Sequence, residues 1–110
     1  AFGRSVSEFQ VIRHRLADMA TDLEAARQLT YYALRLHVGG EYAIAQTSMA
    51  KKLATEMCCR LADQSLQLHG GAGYMMEYGI QRHWRDARLG PIGGGTSEIM
   101  NEIIAKQLGL

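Results

Sequence analysis

The stretch FQVIRHRLADMATDLEAARQLTYYA, Phe9 to Ala33, decides the fold. Phe9, Ile12, Leu16, Met19, Leu23, Ala26, Thr30 and Ala33 recur in steps of three and four. That spacing has a period near 3.5, the pattern of a helix burying one seam in a bundle or coiled coil. Arg13, Arg15, Asp18, Asp22 and Arg27 fall on other faces, where water solvates them. Upstream, Ser5 followed three residues later by Glu8 reads as a capping box. A helix is expected from about Ser5 to Val38, a rod of roughly 50 Å at 1.5 Å rise per residue.

Glycine clusters at 39–40, 70–73 and 90–95 divide the rest of the chain. A second helix is expected from about Glu41 to Leu68, with Ile44, Met49, Leu53, Met57, Leu61 and Leu68 largely on one face. The short Gly39-Gly40 link folds it back antiparallel on the first. A shorter helix follows, roughly Gly79 to Arg88, and a last one from Thr96 to Leu108 carries Ile99, Ile103, Ile104 and Leu108. No segment alternates as a strand does. The expected fold is all-α, an up-and-down helical bundle forming one domain over residues 1–110.

Composition narrows the function. A net charge of +1 gives no electrostatic footprint for nucleic acid or an anionic membrane. No apolar run approaches the roughly 18 residues of a membrane span. The first residues, AFGRSVSEFQ, show neither an apolar leader nor an initiator Met, so a processed product or an excised fragment is expected. Cys58 and Cys59 are adjacent, and on a helix they point about 100° apart, a poor chelating pair. They read as buried small residues in a reducing compartment.

Candidate chemistry is sparse outside the glycines. Ser48 and Lys51 match a nucleophilic S-x-x-K pair, but its partner motifs S-D-N and K-T-G are absent, and the match is set aside as chance. None of His14, His37, His69 and His83 has a glutamate three residues before it, so no Glu-x-x-His di-iron pattern exists, and no zinc spacing stands out. The run GPIGGGTSEIM, Gly90 to Met100, lacks the G-K-[ST] ending of a P-loop. A glycine run leading through Thr96 into a helix still offers free N–H groups at a positive dipole end. Glu98 in the first turn complements that dipole, and a tight turn with an N-cap explains these residues as well as a binding loop does. The densest signal is Gln67-Leu-His-Gly70-Gly71-Ala-Gly73-Tyr74-Met-Met-Glu77, followed by Arg82 and Asp86. The G-G-x-G spacing suits a sharp turn with close backbone approach. Glu77, Arg82, Arg85 and Asp86 are expected to tie down the next helix by charge pairs.

Gln67, Gly70, Gly71, Gly73, Tyr74, Glu77, Arg82 and Asp86, with the Thr96-Ser97-Glu98-Ile99 segment, resemble the C-terminal domain of the acyl-CoA dehydrogenase family over the whole chain. Ala1-Phe2-Gly3 and Phe9-Gln10 fit the segment entering the first long helix. The resemblance implies a parent with an N-terminal helical domain, a middle β-domain and this bundle, whose first helix stands upstream of Ala1. It implies FAD as cofactor, a tetramer or dimer, oxidation of the Cα–Cβ bond of an acyl-CoA thioester, and electron delivery to an electron-transfer flavoprotein. A bacterial cytoplasm or a mitochondrial matrix is the implied location. Phe2, Phe9 and Gln10 match positions contacting the FAD held mainly by a neighbouring subunit, and Gln67 to Gly71 match the segment along that same cofactor. Thr96 and Glu98 match positions near the pyrophosphate and adenosine of the subunit's own FAD, although Glu98 stands where Gln or Asn is usual.

One departure carries more weight. Many members of the family read Tyr-Glu-Gly-Thr where this chain reads Gly93-Gly94-Gly95-Thr96. Gly94 stands at the position of the base, and Gly95 beside it faces substrate. The long-chain and isovaleryl-type branches also lack that Glu and carry it on the preceding helix; GGTSEIMNEIIAK resembles the long-chain branch most. The resemblance therefore implies a dehydrogenase with a relocated base, and an isolated chain that is inactive. Two alternatives stay open: a catalytically silent helical interaction domain, and an acyl-CoA oxidase-type flavoenzyme.

Overall fold

A computed structural model describes residues 1–110 and contains helices and turns only. A single 3₁₀ turn, Val6–Glu8, precedes α1 (Gln10–Val38), α2 (Ile44–His69), α3 (Gly71–Tyr74), α4 (Ile80–Ala87) and α5 (Ser97–Gln107). The all-α expectation holds, and the four expected helices are present within a few residues of their expected ends. The short α3 was not expected.

The capping box does not form. Ser5 Oγ pairs with Ser7 Oγ at 2.8 Å, and Phe9 breaks into extended backbone before α1 begins. Glu8 therefore sits outside the first turn of α1 and cannot reach back to a cap. Arg13 instead donates to the Glu8 carbonyl at 3.3 Å. At the other end, Glu41 N–H bonds Leu36 O and Gly40 N–H bonds His37 O, each at 3.0 Å, the paired closure of a Schellman turn. The chain then reverses. Arg60 of α2 reaches Asp22 of α1 at 3.0 Å, while His37 and Thr47 share a groove near the link, so the two helices are antiparallel.

The long helix α2 is the spine: α1, α3, α4 and α5 all pack on it. On α4, Trp84 Nε1 donates to Asp63 at 2.9 Å, and the Ala87 carbonyl accepts from Cys59 Sγ at 3.1 Å. The expectation that both cysteines are buried fails, because Cys58 is exposed and Cys59 half-buried. Adjacent helical residues diverge by about 100°, so only one of them can face α4. The expected charge pairs of Glu77, Arg82, Arg85 and Asp86 fail as well. All four side chains are exposed, and the ion pairs are Arg27–Glu24, Lys52–Glu56 and Arg60–Asp22. The indole and thiol contacts hold α4 in their place.

The seam of α1 is only half used. Ala26 and Ala33 are buried, whereas Leu16 is 40% and Leu23 43% exposed. A bundle helix shows its seam to two neighbours, and α1 has only α2. Just eight of the 110 residues are buried, and none of them is a large side chain fully shut away from solvent.

At the α2–α3 corner the G-G-x-G spacing does what its sequence suggested. Gly70 takes φ +60, ψ −147, a region open to glycine and little else. A Cβ on Gly73 would lie 2.7 Å from Leu66 O and 2.8 Å from His69 Cβ. Gly71, by contrast, has open space where a Cβ would stand. Overpacking costs about 1–3 kcal/mol. Gly73→Ala is thus expected to lower the thermal unfolding midpoint of the full-length protein by several degrees, with Gly71→Ala close to wild type. Equal midpoints for the two variants would contradict this packing.

Candidate functional site

The site is built on the loop joining α4 to α5. Its first half is locally closed: Ile92 N–H and Gly93 N–H both bond Leu89 O, at 3.0 and 2.8 Å. Gly90 lies against Thr55 of α2, where a Cβ would come within 3.0 Å of the threonine Cβ. The half-buried Lys51, one turn before Thr55, supplies the main tie. Its ammonium donates to the Gly90 carbonyl at 2.9 Å and also to the Gly95 carbonyl. Both ends of the glycine run thus hang from a single cation on the spine.

Between those ends the backbone takes positive φ at Gly94 (+64) and Gly95 (+102). A side chain on Gly95 would also collide with buried Met100, its Cβ 2.7 Å from Cε. A Cβ on Gly94 would meet nothing within 4 Å. Then α5 begins, with Thr96 Oγ1 accepting from Ile99 N–H at 3.3 Å as a true N-cap. Ser97 N–H turns back to Pro91 O at 3.0 Å. The N–H groups of Gly94, Gly95, Thr96 and Glu98 bond no atom of the chain. Four free donors at the positive end of a helix dipole suit an anion or an oxygen-rich polar group. Glu98 itself is exposed on the first turn.

The remaining sequence candidates gather at the far end of the rod. Phe2 is 94% exposed, with φ +54, its ring edge-on to Phe9 at 6.2 Å between centroids. The Arg4 guanidinium lies 3.9 Å from the centre of the Phe9 ring. Gln10 opens α1 and is exposed. Gln67, Gly70 and Gly71, all exposed, close α2, and the antiparallel pairing puts them at the same end as Phe9. From Lys51 to Gln67 is about 24 Å along α2 at 1.5 Å per residue. The structure therefore separates the Gly94–Glu98 group from the Phe2, Phe9, Gln10, Gln67, Gly70 and Gly71 group. Lys51 went unrecognised in the sequence because its S-x-x-K match points to the wrong chemistry. The usable signal was the row Ser48, Lys51, Thr55, a polar stripe at steps of three and four. No histidines, cysteines or carboxylates are grouped as metal ligands, and no helix is long and apolar enough to cross a membrane.

Residues 1–109 match the family model of the acyl-CoA dehydrogenase C-terminal domain. The chain belongs to the acyl-CoA dehydrogenase family. It is 44% identical over 108 residues to the mitochondrial long-chain specific acyl-CoA dehydrogenase of Rattus norvegicus, covering 98% of this chain and 25% of that protein. The crystal structure of an acyl-CoA dehydrogenase from Geobacillus kaustophilus matches all of this chain with a TM-score of 0.97 and 46% identity, covering 29% of its own length. The FAD complex of PigA matches with a TM-score of 0.94 and 35% identity, over 100% of this chain and 29% of that one. The chain thus spans 25–29% of the length of these relatives.

Beside the loop, Ser97 Oγ is buried without a formed hydrogen bond. Glu56 of α2 answers it from outside hydrogen-bond geometry. The Glu56 carboxyl is held below its ordinary value of 4.5, first by the hydrogen bond from Lys52 and then by the Ser97 hydroxyl. A depressed carboxylate pKa adds stability above the unfolded value, and that stability is lost as pH falls through the folded value. Glu56→Gln is expected to lower the stability at pH 7 by under about 1 kcal/mol, since the half-buried pair is still screened by solvent. The difference should begin to shrink as pH falls below the ordinary value of 4.5 and vanish below the folded value. A difference that persists unchanged at pH 3 would contradict this assignment.

Proposed function

We propose that this chain is the C-terminal domain of an FAD-dependent acyl-CoA dehydrogenase, in which it supplies contacts to the flavin and part of an oligomer interface. The observation that carries the reading is the set of four free N–H groups at Gly94, Gly95, Thr96 and Glu98, held beside a glycine at the family's base position. The parent is a three-domain protein in which residues 1–110 belong to the C-terminal domain.

The donors present fit an oxygen-rich dinucleotide, since a helix N-terminus with unbonded amides is suited to a pyrophosphate. Bound FAD would supply the hydride acceptor for Cα–Cβ oxidation of an acyl-CoA thioester. Thr96 and Glu98 orient that subunit's own cofactor, Glu98 facing ribose hydroxyls rather than phosphate because like charges repel. Gly95 meets the thioester through its free backbone N–H, its side-chain position being filled by Met100. Phe2, Phe9, Gln10, Gln67, Gly70 and Gly71 serve the cofactor of a neighbouring subunit. Their separation from the glycine loop by about 24 Å of α2 supports two distinct cofactors rather than one. The open apolar faces of α1, with Val11, Leu34 and Val38 exposed, support burial against elements beyond this chain.

Gly94 has no proton-accepting side chain, so the base that removes the substrate α-proton lies upstream, as in the long-chain type. Gly94 within an otherwise matching loop supports this branch. Electrons leave to an electron-transfer flavoprotein, and the enzyme works as a tetramer or dimer in a bacterial cytoplasm or mitochondrial matrix.

The test uses the full-length protein loaded with FAD and assayed for 2-enoyl-CoA formation. Turnover is expected from it and none from residues 1–110 alone. Replacing the upstream glutamate with Gln should abolish activity, and adding Gly94→Glu should restore a fraction of it. The rescue should be partial, because a side chain in left-handed backbone costs about 1–2 kcal/mol. No rescue in a folded, flavin-loaded double variant would contradict the placement of Gly94 beside the substrate.

A further inference from the structure

Lys51 is the group that the proposed chemistry leaves without a role. It sits in the first third of the spine, one turn after buried Ser48. No carboxylate lies within ion-pairing distance of it; the acid nearest in sequence, Glu56, pairs with Lys52. Its ammonium is spent on two main-chain carbonyls, Gly90 and Gly95. A half-buried lysine with no acid partner is costly unless its donors are satisfied, and the loop satisfies two of its three.

The geometry of the peptide group turns this into a functional statement. In a trans peptide the C=O and the following N–H point in opposite directions. With the Gly95 carbonyl drawn toward Lys51, the Thr96 N–H must point away from α2, out of the loop. That N–H is one of the four that bond nothing in the chain. At the other end the Gly90 carbonyl is fixed in the same way, and its peptide partner is Pro91, which has no N–H. The clamp therefore orients one donor only, the Thr96 amide. A charged donor on the carbonyl also polarises that amide and strengthens it as a donor.

We propose that Lys51 is a positioning residue of the flavin site: by holding the Gly95 carbonyl against α2 it turns the Thr96 N–H outward to the cofactor. This rests on the reading of the chain as a flavoenzyme domain, which deepens to a named donor and the residue that aims it. The helix-packing role of Lys51 and its aiming role make different demands. Packing needs the aliphatic stem, which lines the groove between α1 and α2 with Ala33, Leu34 and Ala50. Aiming needs the ammonium.

The experiment compares Lys51→Met with wild type in the full-length protein, stripped of flavin and then titrated with FAD. Met keeps most of the stem and loses the ammonium. The expected result is a flavin-free unfolding midpoint within a few degrees of wild type, with FAD binding weakened at least tenfold. A second arm covers a Met variant that does not fold. Lys51→Arg keeps the charge but replaces the compact ammonium by a planar fork, and its expected result is a folded protein with FAD binding weakened threefold or more. Wild-type FAD affinity in either folded variant overturns the proposal. So does a Met variant whose weaker FAD binding is recovered by conditions that merely restore its unfolding midpoint. If wild type itself binds no FAD, the flavoenzyme reading fails separately. The orientation is then decided by amide hydrogen exchange at Thr96 in the flavin-free proteins: a changed rate in Lys51→Met upholds the clamp, and an unchanged rate removes it.

Discussion

A single ammonium, Lys51 Nζ, joins the glycine loop to the spine of the molecule through the carbonyls of Gly90 and Gly95. Much of the site follows from that joint. It fixes where the loop leaves α4 and where α5 begins, and it turns the Thr96 N–H outward. Hydrogen bonds from a charged donor contribute about 1.5–3 kcal/mol each, more than a turn bond between neutral groups. Breaking them would strand a half-buried cation with no acid to receive it. The loop is therefore set by α2 rather than by its own glycine-rich sequence, which would otherwise be the most pliable part of the chain.

The spine role of α2 explains the thinness of the fold. Each other helix covers a different part of α2, and small side chains at Ala26, Ala33 and Ala50 provide the closest burial. Large apolar side chains on α1 remain open, among them Tyr31, Leu34 and Val38. Such a surface fits a domain whose burial is completed by contacts outside residues 1–110, in keeping with relatives several times longer.

The helices were legible because their periodicity is a property of the whole stretch, summed over many residues such as the Phe9–Ala33 seam. The G-G-x-G corner was legible because Gly70 and Gly73 answer two separate demands, a forbidden φ and a close approach. Single-residue pairings were less so. Ser5 and Glu8 have the spacing of a capping box, but Phe9 interrupts the helix between the box and α1. Glu77, Arg82, Arg85 and Asp86 suggested ion pairs, yet exposed charges gain little from pairing, and Trp84 with Cys59 anchors α4 in their place. Lys51 was hidden for the opposite reason. Its partners are carbonyls 39 and 44 residues away, and main-chain acceptors carry no sequence signal.

The central claim is that the free amides of Gly94, Gly95, Thr96 and Glu98 face the bound cofactor and substrate. Residue-resolved amide exchange in the full-length protein addresses it directly, with and without FAD and a non-reactive acyl-CoA analogue. The expected result is fast exchange at these four positions in the free protein and strong protection at Thr96 and Glu98 when FAD is added. Gly94 and Gly95 should follow when the analogue is added. Saturated protein in which all four amides exchange as fast as before would contradict it.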